Sequence, residues 1–333
     1  MVRIWFNHWF SAVYHTILMM KEGGEACVIG SNENEYAVYK TVCDEFYVEP
    51  SGLNETEYVE YCLAFCKEHR VDVFAPRRNL AAIVQANARF EALGVKLFAN
   101  TDGGLARVLD DKALTYEYAS RILPTVVPAY RVAHSFEEFA AVYAELKSLG
   151  GRVCYKLTID EGARSFRVID VPEKVNALYE KPGFKVTEEM AFARMQNYSF
   201  DVPVLLMPFL SGLEISVDCL KGKDGDLIIP RYKMNKRYSE LKYDEEIMGY
   251  CKTLLSAMGA EMPVNIQFKM HEGKAYLLEI NPRISGGIQL SCKGAGVNLP
   301  LIALNKLLGK EYSCLVPLQE AKVVHVETPV CVD

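Results

Sequence analysis

A chain of 333 residues is long enough for two or three domains with cores of their own. Its 50% hydrophobic and 24% charged content is ordinary for a globular protein, and a net charge of −6 argues against a nucleic-acid binder, which carries a basic face. No stretch approaches the roughly 18 to 20 uninterrupted apolar residues that cross a bilayer, and the apolar N-terminus lacks a charged leader with a small-residue cleavage site.

In chain order, Val2–Phe6 reads as a short apolar strand, Ser11–Glu22 as a helix and Ala26–Gly30 as the next strand. A helix over Glu57–His69, strands at Val71–Ala75 and Val95–Phe98, and a helix from Leu80 to Leu93 continue the alternation. Strands alternating with helices predict a parallel sheet covered on both faces, an α/β front domain. Ligands of such sheets sit at the carboxyl ends of strands, which makes Asn7, His8, Arg77, Arg78 and Asn79 candidate substrate contacts.

After Asp110 the pattern changes. A helix over Lys112–Ile122, an extended piece with Pro128, a helix over Phe136–Leu149 and a strand at Arg152–Leu157 precede a loop, Asp160–Ile169, that leads into another strand. Beyond Pro203 strands dominate: Val204–Met207, Glu214–Leu220, Leu227–Tyr232, Val264–Met270 and Ala275–Ile280, with one helix at Glu245–Met258. The expected fold is therefore an α/β front domain followed by an α+β body of two subdomains. The boundaries fall at 1–108, 109–203 and 204–333.

Ten cysteines lie mostly in apolar runs, Cys62 and Cys66 are one helical turn apart, and no CxxC pair exists. That usage points to a reduced, cytoplasmic protein without structural zinc. Several familiar motifs are also missing: GxxxxGK[ST], GxSxG and HExxH. Gly294-Ala295-Gly296 follows helix-like residues, not a strand, and is not a dinucleotide motif.

The most informative stretch is Asn265–Gly287. Successive strand residues face opposite ways, so Glu279 and Asn281 share a face. A three-residue loop, Glu272-Gly273-Lys274, would set Gln267 directly across from Glu279 and bring Arg283 near. Hard oxygen donors of this kind suit Mg²⁺ held with phosphates; a polar hairpin edge is the plain alternative. Lys112 follows two aspartates, and Lys156 ends a strand before the small-residue loop Glu161–Ser165, whose amides could close over phosphates. The apolar run Leu205–Leu210 could hold a flat base, with Glu214 just beyond it.

The order of these pieces, from Leu109 to Gly296, resembles the ATP-grasp superfamily, in particular its carbamoyl phosphate synthetase-like branch of carboxylate–amine ligases. NIQF, LLEINPRISGG and CKGAG carry the resemblance most strongly. The resemblance implies a pre-ATP-grasp front domain, with Lys112 and Lys156 on the nucleotide phosphates and Gly162, Ala163 and Ser165 in the covering loop. Met207, Phe209 and Leu210 would form the adenine hinge, and Glu214 would bind ribose. Gln267, Glu279 and Asn281 would hold one or two Mg²⁺ ions, or Mn²⁺ in their place, and Arg283 would stabilise the moving phosphoryl group. Arg231, Lys233 or Lys236 would help with phosphate or substrate.

Two departures stand out. The covering loop carries bulky Arg164, Phe166 and Arg167, and Met207 stands where many members have Glu. The implied activity is ATP-dependent phosphorylation of a carboxylate to an acyl phosphate, followed by amine attack. Bicarbonate activation and a silent nucleotide-binding module are the alternatives. Small-molecule carboxylates and amines are the expected partners, with no nucleic acid and no membrane; a homodimer is left open.

Overall fold

The computed structural model describes residues 1–160, 164–170 and 184–332. The chain divides into two compact units, each built from separate segments. One holds residues 1–107, 213–268 and 280–333; the other holds 108–212 and 269–279.

The front of the first unit runs β1 (Val2–Asn7), α1 (Val13–Lys21), β2 (Ala26–Asn32), β3 (Glu45–Val48), α2 (Glu55–Glu68), β4 (Val73–Ala75), α3 (Leu80–Gln85), α4 (Asn87–Ala92), β5 (Lys96–Leu97) and α5 (Gly103–Asp110). Its strands form an all-parallel sheet in the order β3-β2-β1-β4-β5. Strand alternation splits β1 between two cores. Ile4 and Phe6 pack with Val13, Ile17 and Val28, while Trp5 packs on the other face with Phe65 and Phe74. Asn54 starts α2 with a full capping box to Glu57, which satisfies two orphan amides at once. Cys62 and Cys66 are buried on its inner face, as their spacing predicts. The single helix expected over Leu80–Leu93 is broken at Ala86, where backbone bonds to Ala82 and Ile83 tighten the last turn of α3.

The second unit holds α6 (Lys112–Ser120), β6 (Arg131–Ala133), α7 (Phe136–Ser148), β7 (Val153–Leu157), β8 (Arg167–Ile169), β9 (Lys185–Val186), α8 (Glu188–Gln196) and β10 (Val204–Pro208). The sheet order is β6-β10-β7-β8-β9, antiparallel except for β8 and β9. Its core gathers Phe139, Tyr143, Tyr155, Met195 and Leu206.

The rest of the chain comprises β11 (Glu214–Leu220), β12 (Leu227–Lys233), β13 (Tyr238–Leu241), α9 (Glu245–Met258), β14 (Val264–His271), β15 (Lys274–Asn281), α10 (Ile288–Ala295), α11 (Leu299–Leu308) and β16 (Ala321–Val324). The sheet order is β15-β14-β11-β12-β13-β16. Leu220, Leu227, Ile229 and Leu241 from this sheet join the core that Ile4 and Phe6 enter from the front. Gly296 ends α10 in the left-handed conformation, a helix stop and not a phosphate turn. Among the described residues no helix is long and apolar enough to cross a membrane.

The β14–β15 loop corrects the expected turn. Strand pairing runs to His271 and resumes at Lys274, so the loop is the two residues Glu272 and Gly273, with φ of 49° and 79°. Positive φ at both positions is the type I′ geometry that matches strand twist. On β15 Ala275, Leu277 and Ile280 are buried. Glu279 and Asn281 stay half-buried on the polar side.

Candidate active site

In the second unit, Asp111 caps α6 by accepting from the Ala113 and Leu114 amides, so Lys112 starts the helix. Lys112 is only 7% exposed, and its Nζ donates to the Asp160 carbonyl at 2.9 Å. Lys156, on β7, is half-buried with its Nζ 5.7 Å from the Tyr116 ring centroid. Tyr116 is fully buried and donates to the Leu278 carbonyl, one residue before Glu279.

Burial first, and then the Lys112 ammonium, push Lys156 down to about 8; Glu279, Cys154 and Asp160 pull the other way. Lys112 and Lys156 therefore lie close enough to repel one another, with the carboxylates of Glu279 and Asp160 opposing that repulsion.

Ser165 is held by Asp160, whose Oδ2 accepts both its amide and its hydroxyl, while Ser165 Oγ accepts from the Leu157 amide. Gly162 and Ala163 lie outside the described residues. At the expected hinge, Met207 and Leu210 are buried, and the Phe209 amide donates to the Arg152 carbonyl at 2.8 Å. The Arg152 guanidinium lies 4.5 Å from the Phe209 ring centroid. The Phe209 amide is therefore committed to the protein and is not the group that reads a base. Gly212 sits where a Cβ would stand 2.2 Å from the Met270 carbonyl oxygen, so the turn before Glu214 accepts only glycine.

In the first unit, Glu214 pairs in register with Lys233, and the two side chains form an ion pair. Lys236 is exposed on the following turn. Gln267 Nε2 donates to Asn265 Oδ1 at 2.9 Å, which leaves its Oε1 uninvolved in that bond. Asn265 in turn donates to Ser216, the Val217 carbonyl and Asp218, and Asp218 accepts from Ser291 at 2.6 Å. Ser291 also takes the Nε of Arg231 at 3.2 Å. Arg231 is 4% exposed, so it braces this buried network and does not face solvent. Burial lowers its guanidinium from the usual range, against the pull of Asp218 and Glu214.

Asn281 Oδ1 accepts from Arg283 Nη2 at 3.1 Å, and Arg283 Nη1 donates to the Ile284 carbonyl. The Arg283 and Arg77 guanidinium carbons lie 5.4 and 5.8 Å from the Phe10 ring centroid. Asn7 is fully buried; its Oδ1 accepts from the Arg77 amide at 2.6 Å and its Nδ2 donates to Tyr58, so it positions Arg77. Sequence reasoning missed Phe10, Asp160 and the Asn265–Asp218–Ser291 network. Asn265 was findable, because it shares a strand face with Gln267 two residues on.

Of the residues expected at a metal, Glu279 offers a carboxylate and Gln267 and Asn281 amide oxygens, hard donors whose chemistry suits Mg²⁺ better than zinc.

The parallel α/β front sheet, the lysine-bearing mixed sheet and the β14–β15 hairpin have counterparts among known proteins. A family model described as "ATP-grasp in the biosynthetic pathway with Ter operon" matches residues 200–329. The carbamoyl phosphate synthase large chain of Clostridium perfringens is 22% identical over 96% of this chain, and the chain spans 30% of that relative's length. N5-carboxyaminoimidazole ribonucleotide synthetase from Thermus thermophilus superposes with a TM-score of 0.70 at 15% identity, covering 99% of this chain and 85% of that one. The biotin carboxylase domain of Hydrogenobacter thermophilus 2-oxoglutarate carboxylase, solved with MgADP and bicarbonate, gives 0.67 at 17% identity, covering 93% and 70%. The chain is thus similar to ATP-grasp proteins in sequence over residues 200–329 and in fold over nearly its whole length.

Proposed function

We propose that this protein is an ATP-dependent ligase that phosphorylates a carboxylate to an acyl phosphate and couples it to an amine. The observation that carries the reading is the mutually repelling Lys112–Lys156 pair beside Glu279 and Asp160, in a chain similar to ATP-grasp proteins. Such a pair costs stability in the free protein and is relieved by polyphosphate.

In this reading Lys112 and Lys156 hold the ATP phosphates, and the loop containing Gly162, Ala163 and Ser165 covers them. Met207, Phe209 and Leu210 line the base by their side chains and carbonyls, and Glu214 takes the ribose hydroxyls in place of Lys233. Gln267, Glu279 and Asn281 would hold Mg²⁺, which neutralises phosphate oxygens during transfer. Arg283, fixed by Asn281 and the Ile284 carbonyl, stabilises the charge that develops on the transferred group. Excluding water from the site protects the acyl phosphate from hydrolysis.

A second reading has bicarbonate as the activated acid. It is favoured by the likeness to the carboxylase domain solved with MgADP and bicarbonate. Measuring ADP release with panels of carboxylic acids and with bicarbonate, each with and without amines, separates the two. Release driven by bicarbonate alone would favour the second reading. ATP binding with no acid-dependent release would overturn both.

A further inference from the structure

His8 ends β1 in a way the rest of the strand does not predict. Its amide still continues the ladder to the Ser31 carbonyl at 2.7 Å, yet its φ is +44°, the left-handed region that non-glycine residues avoid. Held strain of this kind is maintained by its surroundings and clusters at functional sites. Here the turn brings Nδ1 to 3.7 Å from Glu49 Oε2. That nitrogen is buried, whereas the side chain as a whole is 35% exposed, so the open edge of the ring is the one away from Glu49.

Glu49, just beyond β3, has a side chain with no exposure at all. Its Oε1 accepts from Ser31 Oγ at 2.8 Å and its Oε2 from the Tyr58 hydroxyl at 2.7 Å. Trp5 Nε1 donates to Ser31 Oγ in turn, and Asn7 Nδ2 to the Tyr58 oxygen. Burial raises the Glu49 carboxyl, but His8, Tyr58 and Ser31 outweigh it, and the group stays below the usual carboxylate range. Glu49 is thus an ionised, immobile carboxylate that no ligand can reach, aimed at one imidazole nitrogen.

The other charges here are settled among themselves. Arg78, 3.9 Å from Glu49, pairs with Glu33 at 2.5 Å and lies over the Tyr58 ring. Arg77 lies beside Phe10. The sheet order β3-β2-β1-β4-β5 places the topological switch at β1, where the connections leave in opposite directions and ligands of open α/β sheets bind. Two residues beyond His8, the Phe10 ring touches Arg283, the residue assigned above to the transferred phosphoryl group.

We propose that His8, aimed by Glu49, is the base that takes the proton from the amine attacking the acyl phosphate. The inference rests on the ligase reading. The amine nitrogen forms the new bond to the acyl carbon, and the carbon–oxygen bond to phosphate breaks with its electron pair on phosphate. The proton lost by nitrogen goes to His8 Nε2 and from there to solvent. At 3.7 Å Nδ1 makes no hydrogen bond to Glu49, so the carboxylate faces the ring as a fixed negative charge that offsets the charge gained with a proton, and Nε2 on the open edge is the acceptor.

The test compares two nucleophiles in the full chain with ATP and Mg²⁺: glycinamide, which is largely protonated at neutral pH, and hydroxylamine, which is not. The acids offered are L-amino acids, dicarboxylates and bicarbonate. His8→Gln is expected to lower amide formation about 100-fold or more, the usual share of a general base, while hydroxamate formation is kept. Added imidazole restores part of the amide-forming rate in the variant. Glu49→Gln shows the same split with a smaller loss. Equal loss of both products, or no loss of either, overturns the inference and leaves His8 as the counter-ion of Glu49. Wild-type protein that yields no hydroxamate from any acid overturns the ligase reading itself.

Discussion

Replacing Lys156 by Met gives a result opposite to the usual effect of changing a partly buried residue. The lysine is held at about 8, against an ordinary lysine near 10.4, by burial and by Lys112. At about 1.4 kcal/mol per unit, keeping it charged at neutral pH costs the free protein on the order of 2 to 3 kcal/mol, discounted because the side chain is only half-buried. The sign follows from proton counting. Between pH 8 and about 10.4 the unfolded chain holds a proton the folded one has lost, so stability rises with pH across that window, and below it the whole penalty is present. Lys156→Met should therefore raise the stability of the free protein at pH 7 by roughly 1 to 3 kcal/mol and flatten its rise above pH 8. The same substitution should abolish the stabilisation that MgATP gives the parent. Urea unfolding at pH 7, 8 and 9.5, with and without MgATP, measures all three. A variant that is less stable when free, or that keeps the rise between pH 8 and 10, would refute the electrostatic argument.

Three other changes follow from the geometry. Glu279→Ala should leave circular dichroism unchanged and abolish Mg²⁺-dependent ADP release; near-normal turnover would remove Glu279 from the metal set. Glu214→Gln should weaken ATP about tenfold, as expected for lost hydrogen bonds to a charged acceptor, yet leave unchanged the affinity for ATP lacking both ribose hydroxyls. An equal loss for both nucleotides in calorimetry would show that Glu214 serves only Lys233. A Cβ at Gly287 would stand 2.2 Å from Arg231 Nη2, so Gly287→Ala must displace a buried guanidinium and disturb its bond to Ser291. That should cost about 1 to 3 kcal/mol in denaturant unfolding; a neutral substitution would mean the Arg231 network is slack.

Most of the fold was legible because its elements carry local signals. Glu214–Leu220 and Glu245–Met258 appear with the bounds their periodicity gives, the latter closed by an Asp244 cap and a left-handed Gly259. Elements whose signals are weak in isolation were not found. β3 is four residues, Glu45–Val48, and exists because β2 pairs with it; β16 exists because β13 does. The start of α11 was readable after all: Asn298 caps it and Pro300 sits in its first turn.

For the site, residue types and order pointed to Lys112, Lys156 and the hairpin, since strand alternation is readable without a structure. Which partners those groups choose was not. Glu214 pairs with Lys233, Arg231 is buried, Asn7 serves Arg77, and the Phe209 amide belongs to Arg152, all through strand register or burial that single-sequence spacing does not contain. The turn was misjudged by one residue because Glu272 adopts a positive φ that its side chain does not advertise.

The central claim is that a carboxylate oxygen attacks the terminal phosphorus of ATP. Labelling the two oxygens of an accepted acid with heavy oxygen, and analysing the phosphate released on coupling to an amine, tests it directly. The account predicts ADP together with phosphate carrying one labelled oxygen. Unlabelled phosphate, or AMP and pyrophosphate in place of ADP, would contradict it.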